Sequence, residues 1–319
     1  MTINPEFAFD EQTHPAASHE HHPSEWNLCA LSSPPAAAKK EPDETLNHQT
    51  RWDDTEPHPG GFYLKAISSL DKWDGITGVV KLGVPHWDAK RLDRKSGMNR
   101  DNFSIYMGGK AGNSVVDAGL TWAQTVNKQD HVNPKDFAWR PFWRTDAWHN
   151  APLKPELEWH PGDTVRMSVV LTARDHLRLT ISDLGPNPKR VFSQDFDAPG
   201  FVAGLPLTLK RVNGIDQKGR ESKQEEATRA NVTDAVWQDT SLLIDPKRPG
   251  INANLTAASS SGANKDAQII LNGIGANSAD QLVPFSPEVA KELQYPAGHS
   301  KIAATADGEH VDIFGTVPK

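Results

Sequence analysis

Between Thr164 and Ser182, apolar side chains fall on alternate positions twice in succession. Val165, Met167, Val169 and Leu171 interleave with Arg166, Ser168 and Thr172. After a turn at Arg174–His176 the pattern resumes as Leu177, Leu179 and Ile181 against Arg178, Thr180 and Ser182. A two-residue period puts each set on its own face of an extended chain, so the segment predicts a β-hairpin with one buried face. Pro161-Gly162-Asp163 supplies the turn into its first strand, because Pro fixes φ and Gly accepts positive φ.

The same grammar runs through the chain from Gly60 onward, as short β-branched or aromatic runs separated by Gly, Pro, Asn and Asp turns. Further strands are predicted at Gly61–Ser68, Ile76–Val84, Phe103–Gly108, Ser114–Gln124, Phe137–Arg144, Arg190–Asp195, Leu207–Ile215 and Ala235–Leu243, with late strands at Ala267–Ile274 and Lys301–Val317. Ser286 as N-cap, Pro287 at the first helical position and Glu288 in the first turn predict one short helix over 286–293. The expected fold class is all-β, an antiparallel β-sandwich over residues 59–319, with a Pro, Gly, Asn and Ser-rich long loop around 246–266.

Residues 1–58 differ in kind. They carry Pro5, Pro15, Pro23, Pro34, Pro35, Pro42 and Pro57 with few large apolar side chains, so they bury too little surface to offset the entropy of ordering, and an irregular arm is expected. His14, His19, His21 and His22 lie in it without a carboxylate or Cys partner at fixed spacing, so no metal site is assigned to them. Cys29 is the single cysteine and cannot form an internal disulfide. The 34 Lys+Arg and 41 Asp+Glu give a net charge of -7 with no long single-sign run, which argues against nucleic acid as a partner. No apolar run approaches the roughly 20 residues of a membrane span, and no secretory signal opens the chain. The cytoplasm is the default expectation, with export by a route lacking a cleavable signal left open.

Several segments, in order, resemble the glutamic peptidase (eqolisin) family. Ile76-Thr-Gly-Val-Val-Lys-Leu-Gly-Val-Pro85 is similar to the family's early strand, and Phe103-Ser-Ile-Tyr-Met-Gly108 to its next. Val115-Val-Asp-Ala-Gly-Leu-Thr-Trp122 resembles the strand that carries the catalytic Gln, and Ala138-Trp139 through Trp143 the aromatic strand. Pro161-Gly-Asp-Thr-Val-Arg-Met-Ser-Val169 is similar to the Gly-Asp lead into a hairpin, while Val236–Leu243, Ala267–Asn272 and His310–Val317 fit the closing strands. The resemblance covers roughly residues 60–317 and rests on collinearity. It implies a concanavalin-A-like jelly roll with a concave polar face. It does not carry over the proteolytic pair, because Asp117 stands at the position matching Gln and Leu209–Gln217, the strand expected to supply Glu, contains none.

Strand alternation places Asp117, Gly119 and Thr121 opposite Val116, Ala118, Leu120 and Trp122, and the apolar set is expected in the core. With Asp117 on the face that the resemblance makes concave, the neighbouring segments offer Trp139, Arg140, Trp143, Arg144, Lys210, Arg211, Asn213, Asp216 and Gln217 as ligand-binding residues. Arg forks bind carboxylates and Trp faces stack on sugars or peptide planes, so a polysaccharide or peptide is the expected partner. A structural ion pair between Asp117 and an Arg is the bland alternative. A hydrolase or lyase reading builds catalysis on Asp117 with Lys210 or Arg211, or with His149 as proton shuttle. Leu209–Gln217 also loosely resembles a Lys-bearing strand of alginate lyases. A third reading is an assembly or secretion-apparatus component, and the oligomeric state is left open. The phosphate-loop, paired-Cys, His-Glu-x-x-His and Gly-x-Ser-x-Gly patterns are all missing, so no cofactor is expected.

Overall fold

The computed structural model describes residues 59–93, 98–123, 137–185, 187–220, 222–249, 265–277 and 279–316. The expected arm over 1–58, its His cluster, Cys29 and most of the expected long loop lie outside these residues.

In chain order the strands begin with β1 (Gly61–Ser68), β2 (Gly75–Lys81), β3 (Val84–His86), β4 (Asp101–Ala111), β5 (Ser114–Ala123), β6 (Ala138–Arg144) and β7 (Trp148–Asn150). The hairpin β8 (Thr164–Ala173) and β9 (His176–Asp183) follows, then β10 (Val191–Asp197), β11 (Thr208–Gln217) and β12 (Asn231–Ile244). After helix α1 (Lys265–Ile274) come β13 (Gln281–Pro284), β14 (Ala290–Tyr295), β15 (Ser300–Thr305) and β16 (Gly308–Phe314). They form a seven-stranded sheet, β14-β1-β11-β4-β5-β6-β7, and a nine-stranded sheet, β10-β9-β8-β2-β12-β16-β15, with β3 and β13 both attached to β12. All the pairings are antiparallel.

Alternation decides what each strand buries. Val116, Ala118 and Leu120 of β5 have no exposed surface, and neither do Val165, Met167 and Val169 of β8. These two sets meet in one apolar cluster fed by both sheets, together with Phe103, Ile105 and Met107 of β4 and Leu179 and Ile181 of β9. The protein is thus an antiparallel β-sandwich, and each fully buried Leu or Ile contributes about 2 kcal/mol by removal from water. The predicted turn between β8 and β9 is present, with Asp175 at φ 62.

Three late expectations are corrected. Ala267–Ile274 was expected as a strand but belongs to α1, because Ile270, Leu271 and Ile274 fall on one helical face and pack on Val170 and Leu243. Ser286 opens only one turn, in which its carbonyl accepts from the Val289 and Ala290 N–H groups at 3.0 and 2.8 Å, and the chain then extends as β14 instead of the expected helix over 286–293. The open edge of β1 supplies the reason: residues 290–295 pair with Ser68 back to Tyr63 and satisfy its free backbone groups. Finally, the stretch expected as a late strand from Lys301 forms two paired strands, β15 and β16, which end at Phe314.

The segment after α1 brings Asp280 near Asp74, whose carboxylate holds Arg248 Nη1 at 2.5 Å. Asp280 is 4% exposed and accepts from the Asn277 N–H at 3.0 Å. Burial, reinforced by the Asp74 charge, pushes its carboxyl from 3.8 up to about 6. A folded pKa above the unfolded one means that stability is fully present below pH 3.8 and is lost as pH rises through 6. Asp280→Asn keeps the acceptor and removes the charge, so it is expected to stabilise the fold by about 2 kcal/mol at pH 8 and by nearly nothing at pH 3.5. Urea unfolding at the two pH values checks this, and an equal effect at both contradicts it.

Candidate functional site

The outer face of the seven-stranded sheet carries a groove of about 830 Å³ lined by Tyr63, Lys65, Asn102, Tyr106, Asp117, Arg144, Trp148, Lys210 and Asp216, among others. All but Trp148, which lies on the exposed strand β7, belong to strands whose alternate residues are in the core, as Leu64, Phe103, Val116 and Leu209 are. Register sets the centre of the site: Lys210, Gly108, Asp117 and Arg144 lie side by side across β11, β4, β5 and β6. Gly108 leaves a gap in this row, and Lys210 Nζ reaches across it to Asp117 Oδ1 at 2.9 Å. A Cβ at Gly108 would lie 1.9 Å from the Val116 carbonyl oxygen, so the close approach of β4 to β5 requires glycine.

A second polar unit lies further along β11. The Tyr63 ring crosses Gly214, where a Cβ would meet it at 2.8 Å, and its hydroxyl donates to Asp216 Oδ1 at 2.7 Å. Ser104 Oγ donates to Asp216 Oδ2 at 3.1 Å. Desolvation raises the Asp216 carboxyl above its ordinary value, and these two donors oppose the rise. The Tyr63 phenol is pushed well up, first by burial and then by the neighbouring Asp216 charge. At the β7 end, the Trp148 ring stacks on Phe142 at 4.3 Å with 2° between planes and remains 43% exposed, a flat aromatic platform beside Arg144.

Of the residues expected around Asp117, the structure brings Arg144, Lys210 and Asp216 into the groove, with Gln217 at its rim. Gln217 is tied down there, donating to the Glu226 carbonyl at 2.8 Å and accepting from the Glu226 N–H at 2.7 Å. Arg140 is 5% exposed and is drawn to Glu158 at 2.7 Å, away from the lining. Four others face the opposite way, a correction that follows from the period of two. Trp139 has no exposed surface, and its indole N–H donates to the Gly83 carbonyl at 3.2 Å in the core. Trp143 lies behind the groove, 6.0 Å from the Phe192 ring. His149 stacks on Trp143 at 5.5 Å, so it is separated from Asp117 by the sheet. Asn213 accepts from the Trp237 indole N–H at 2.7 Å between the sheets.

Arg211 is corrected in the same way. It is buried between the sheets, with Nη2 at 2.6 Å from Glu309 and 3.8 Å from Glu292, and its guanidinium stands 5.4 Å from the Trp237 ring. Burial pushes the Glu292 carboxyl up to about 7, helped by its hydrogen bond with Glu309 and that residue's charge. Sequence reasoning missed Tyr63, Lys65, Tyr106 and Trp148. The signal for the first two was the alternation of Tyr63 and Lys65 with Phe62, Leu64 and Ala66 along β1. Among the described residues no three His, Cys, Asp or Glu side chains come together to hold a metal ion, and no helix is long and apolar enough to cross a membrane.

No family model matches the sequence, and no curated protein does. Solved structures do. Scytalido-glutamic peptidase with a peptide-based transition-state analogue is 9% identical, covers 80% of this chain and 98% of its own, and superposes with a TM-score of 0.43. The same peptidase with a transition-state analogue inhibitor gives 11% identity, 81% and 98% coverage and a TM-score of 0.40. SCP-B, a member of the eqolisin family of peptidases in complex with the tripeptide Ala-Ile-His, gives 9% identity, 80% and 98% coverage and a TM-score of 0.41. The chain is similar to these eqolisin peptidases, each at a TM-score below 0.5.

Proposed function

We propose that the groove binds an extended hydrophilic polymer, a polysaccharide or peptide, without cleaving it. The supporting observation is the groove itself: polar side chains from β1, β4, β5, β6 and β11 converge on one face and end at the Trp148 platform. Catalysis built on Asp117, Arg211 and His149 loses its geometry, because only Asp117 faces the groove and Lys210 already neutralises it. A hydrolase reading would rest instead on Asp216 and Tyr63, since a desolvated carboxyl with a raised pKa is the kind of group that serves as a general acid.

Titration of a panel of neutral and acidic polysaccharides and unstructured peptides tests this reading. At least one polymer is expected to bind. Trp148→Ala is expected to weaken binding about tenfold, near 1.4 kcal/mol, while His149→Ala behind the sheet leaves it unchanged. Binding lost equally in both variants, or no binding at all, contradicts the reading. Shortening of any polymer that Asp216→Asn abolishes favours the hydrolase.

A further inference from the structure

The chain carries a net charge of -7, yet its groove is lined by five cationic side chains and two carboxylates. Both carboxylates are engaged within the protein: Asp117 by Lys210 at 2.9 Å, and Asp216 by the Tyr63 and Ser104 hydroxyls. Arg100, Arg144 and Lys218 also line the groove and make no ion pair among the described residues. They stand in two places. Arg144 is beside Trp148 across β6 and β7, and Arg100 is beside Lys218, whose N–H donates to the Arg100 carbonyl at 2.8 Å. These three cations are exposed, and although Arg144 feels the Asp216 charge and Arg100 that of Glu226, gathering them along one cleft makes the local potential positive and draws anionic ligands to it despite the overall negative charge.

The groove offers a peptide no strand addition. It runs across the middle of the sheet, where the backbone groups of β4 are already paired on both sides by β11 and β5. A peptide recognised by strand addition needs an open edge, which is missing there. What the floor offers instead is amide and hydroxyl side chains, such as Asn102 and Thr121, and the exposed Trp148 face.

We propose that the groove takes a carboxylate-bearing polysaccharide, a uronate polymer, with a sugar ring on Trp148 and carboxylates gripped by Arg144 at one place and by Arg100 and Lys218 at the other. The inference rests on the polymer-binding reading of the same groove. Arg forks pair with carboxylates in two parallel hydrogen bonds, which neutral sugars cannot reproduce.

The test titrates the full chain with polygalacturonate, with the same polymer after reduction of its carboxyl groups, and with poly-L-glutamate. Polygalacturonate is expected to bind, to weaken as salt is raised, and to bind about tenfold more tightly than the reduced polymer. Arg144→Gln and the double variant Arg100→Gln/Lys218→Gln are each expected to lose about tenfold toward polygalacturonate and little toward the reduced polymer. Equal affinity for the charged and reduced polymers, with Trp148→Ala still harmful, overturns the uronate assignment and leaves polymer binding standing. Preference for poly-L-glutamate overturns it in favour of an acidic peptide. Absence of binding by all three overturns the assignment, and absence across the wider panel removes the groove reading as well.

Discussion

Trp139→Ala is expected to lower the free energy of unfolding by about 3–5 kcal/mol, the range for removing a large aromatic side chain from a packed core. The indole has no exposed surface and meets Trp122 edge to face at 5.5 Å. Its N–H serves the Gly83 carbonyl, which the substitution leaves without that donor. The backbone of the same residue is bonded in both directions to Trp159, at 2.8 and 3.0 Å, so the cavity would open where β6 is stitched to the segment ahead of β8. Urea unfolding followed by far-UV circular dichroism reads the effect. If Trp139 instead served the ligand from the groove, stability would change by less than about 0.5 kcal/mol, as for a surface substitution, and polymer binding would fall.

Arg211→Met is the second large effect, and its pH dependence identifies the cause. Removing the cation leaves Glu309 and Glu292 facing each other at the margin of the two sheets, and breaking a buried ion pair in this one-sided way costs about 3–5 kcal/mol. In the wild type burial pushes the Glu292 carboxyl from 4.5 up to about 7. Its contribution is therefore fully present below pH 4.5 and lost as pH rises through 7. Without Arg211 the Glu292 carboxyl loses the cation that lowers it and becomes harder to ionise, so the variant is expected to lose stability more steeply with pH than the wild type. The cost should be largest at pH 8 and distinctly smaller at pH 5, where Glu292 retains its proton. Unfolding curves at those two pH values decide it, and a cost independent of pH shows that lost packing on Trp237, not charge, is responsible.

Arg211 also shows where sequence reasoning stopped. Lys210 and Arg211 are neighbours on one strand, and an extended chain cannot point both into the same groove. On β5 the faces were legible, because Val116, Ala118, Leu120 and Trp122 form an unbroken apolar set that leaves Asp117 outside. On β11 the buried set is Leu209, Arg211, Asn213 and Ile215, half of it polar, and the groove set includes Val212 and Gly214, so hydrophobicity does not separate the two faces. The same ambiguity places Trp139 and Arg140 side by side on β6, and a Trp is at home in a core as well as in a binding site. Tyr63 and Lys65 went unnoticed because β1 joins β11, a strand nearly 150 residues later in the chain, and only that pairing brings them beside Asp216.

By itself the sequence determined that the chain is built of antiparallel strands and that Asp117 leaves the core, since both follow from side-chain alternation within a few consecutive residues. Tertiary structure alone decided which polar residues share the groove, that Gly108 lets Lys210 reach Asp117, and that residues 265–274 coil while 290–295 extend. Those outcomes depend on what lies across from each segment: a second sheet to bury Arg211, an apolar patch at Val170 and Leu243 to dock a helix, and an unfilled edge on β1 to recruit a strand.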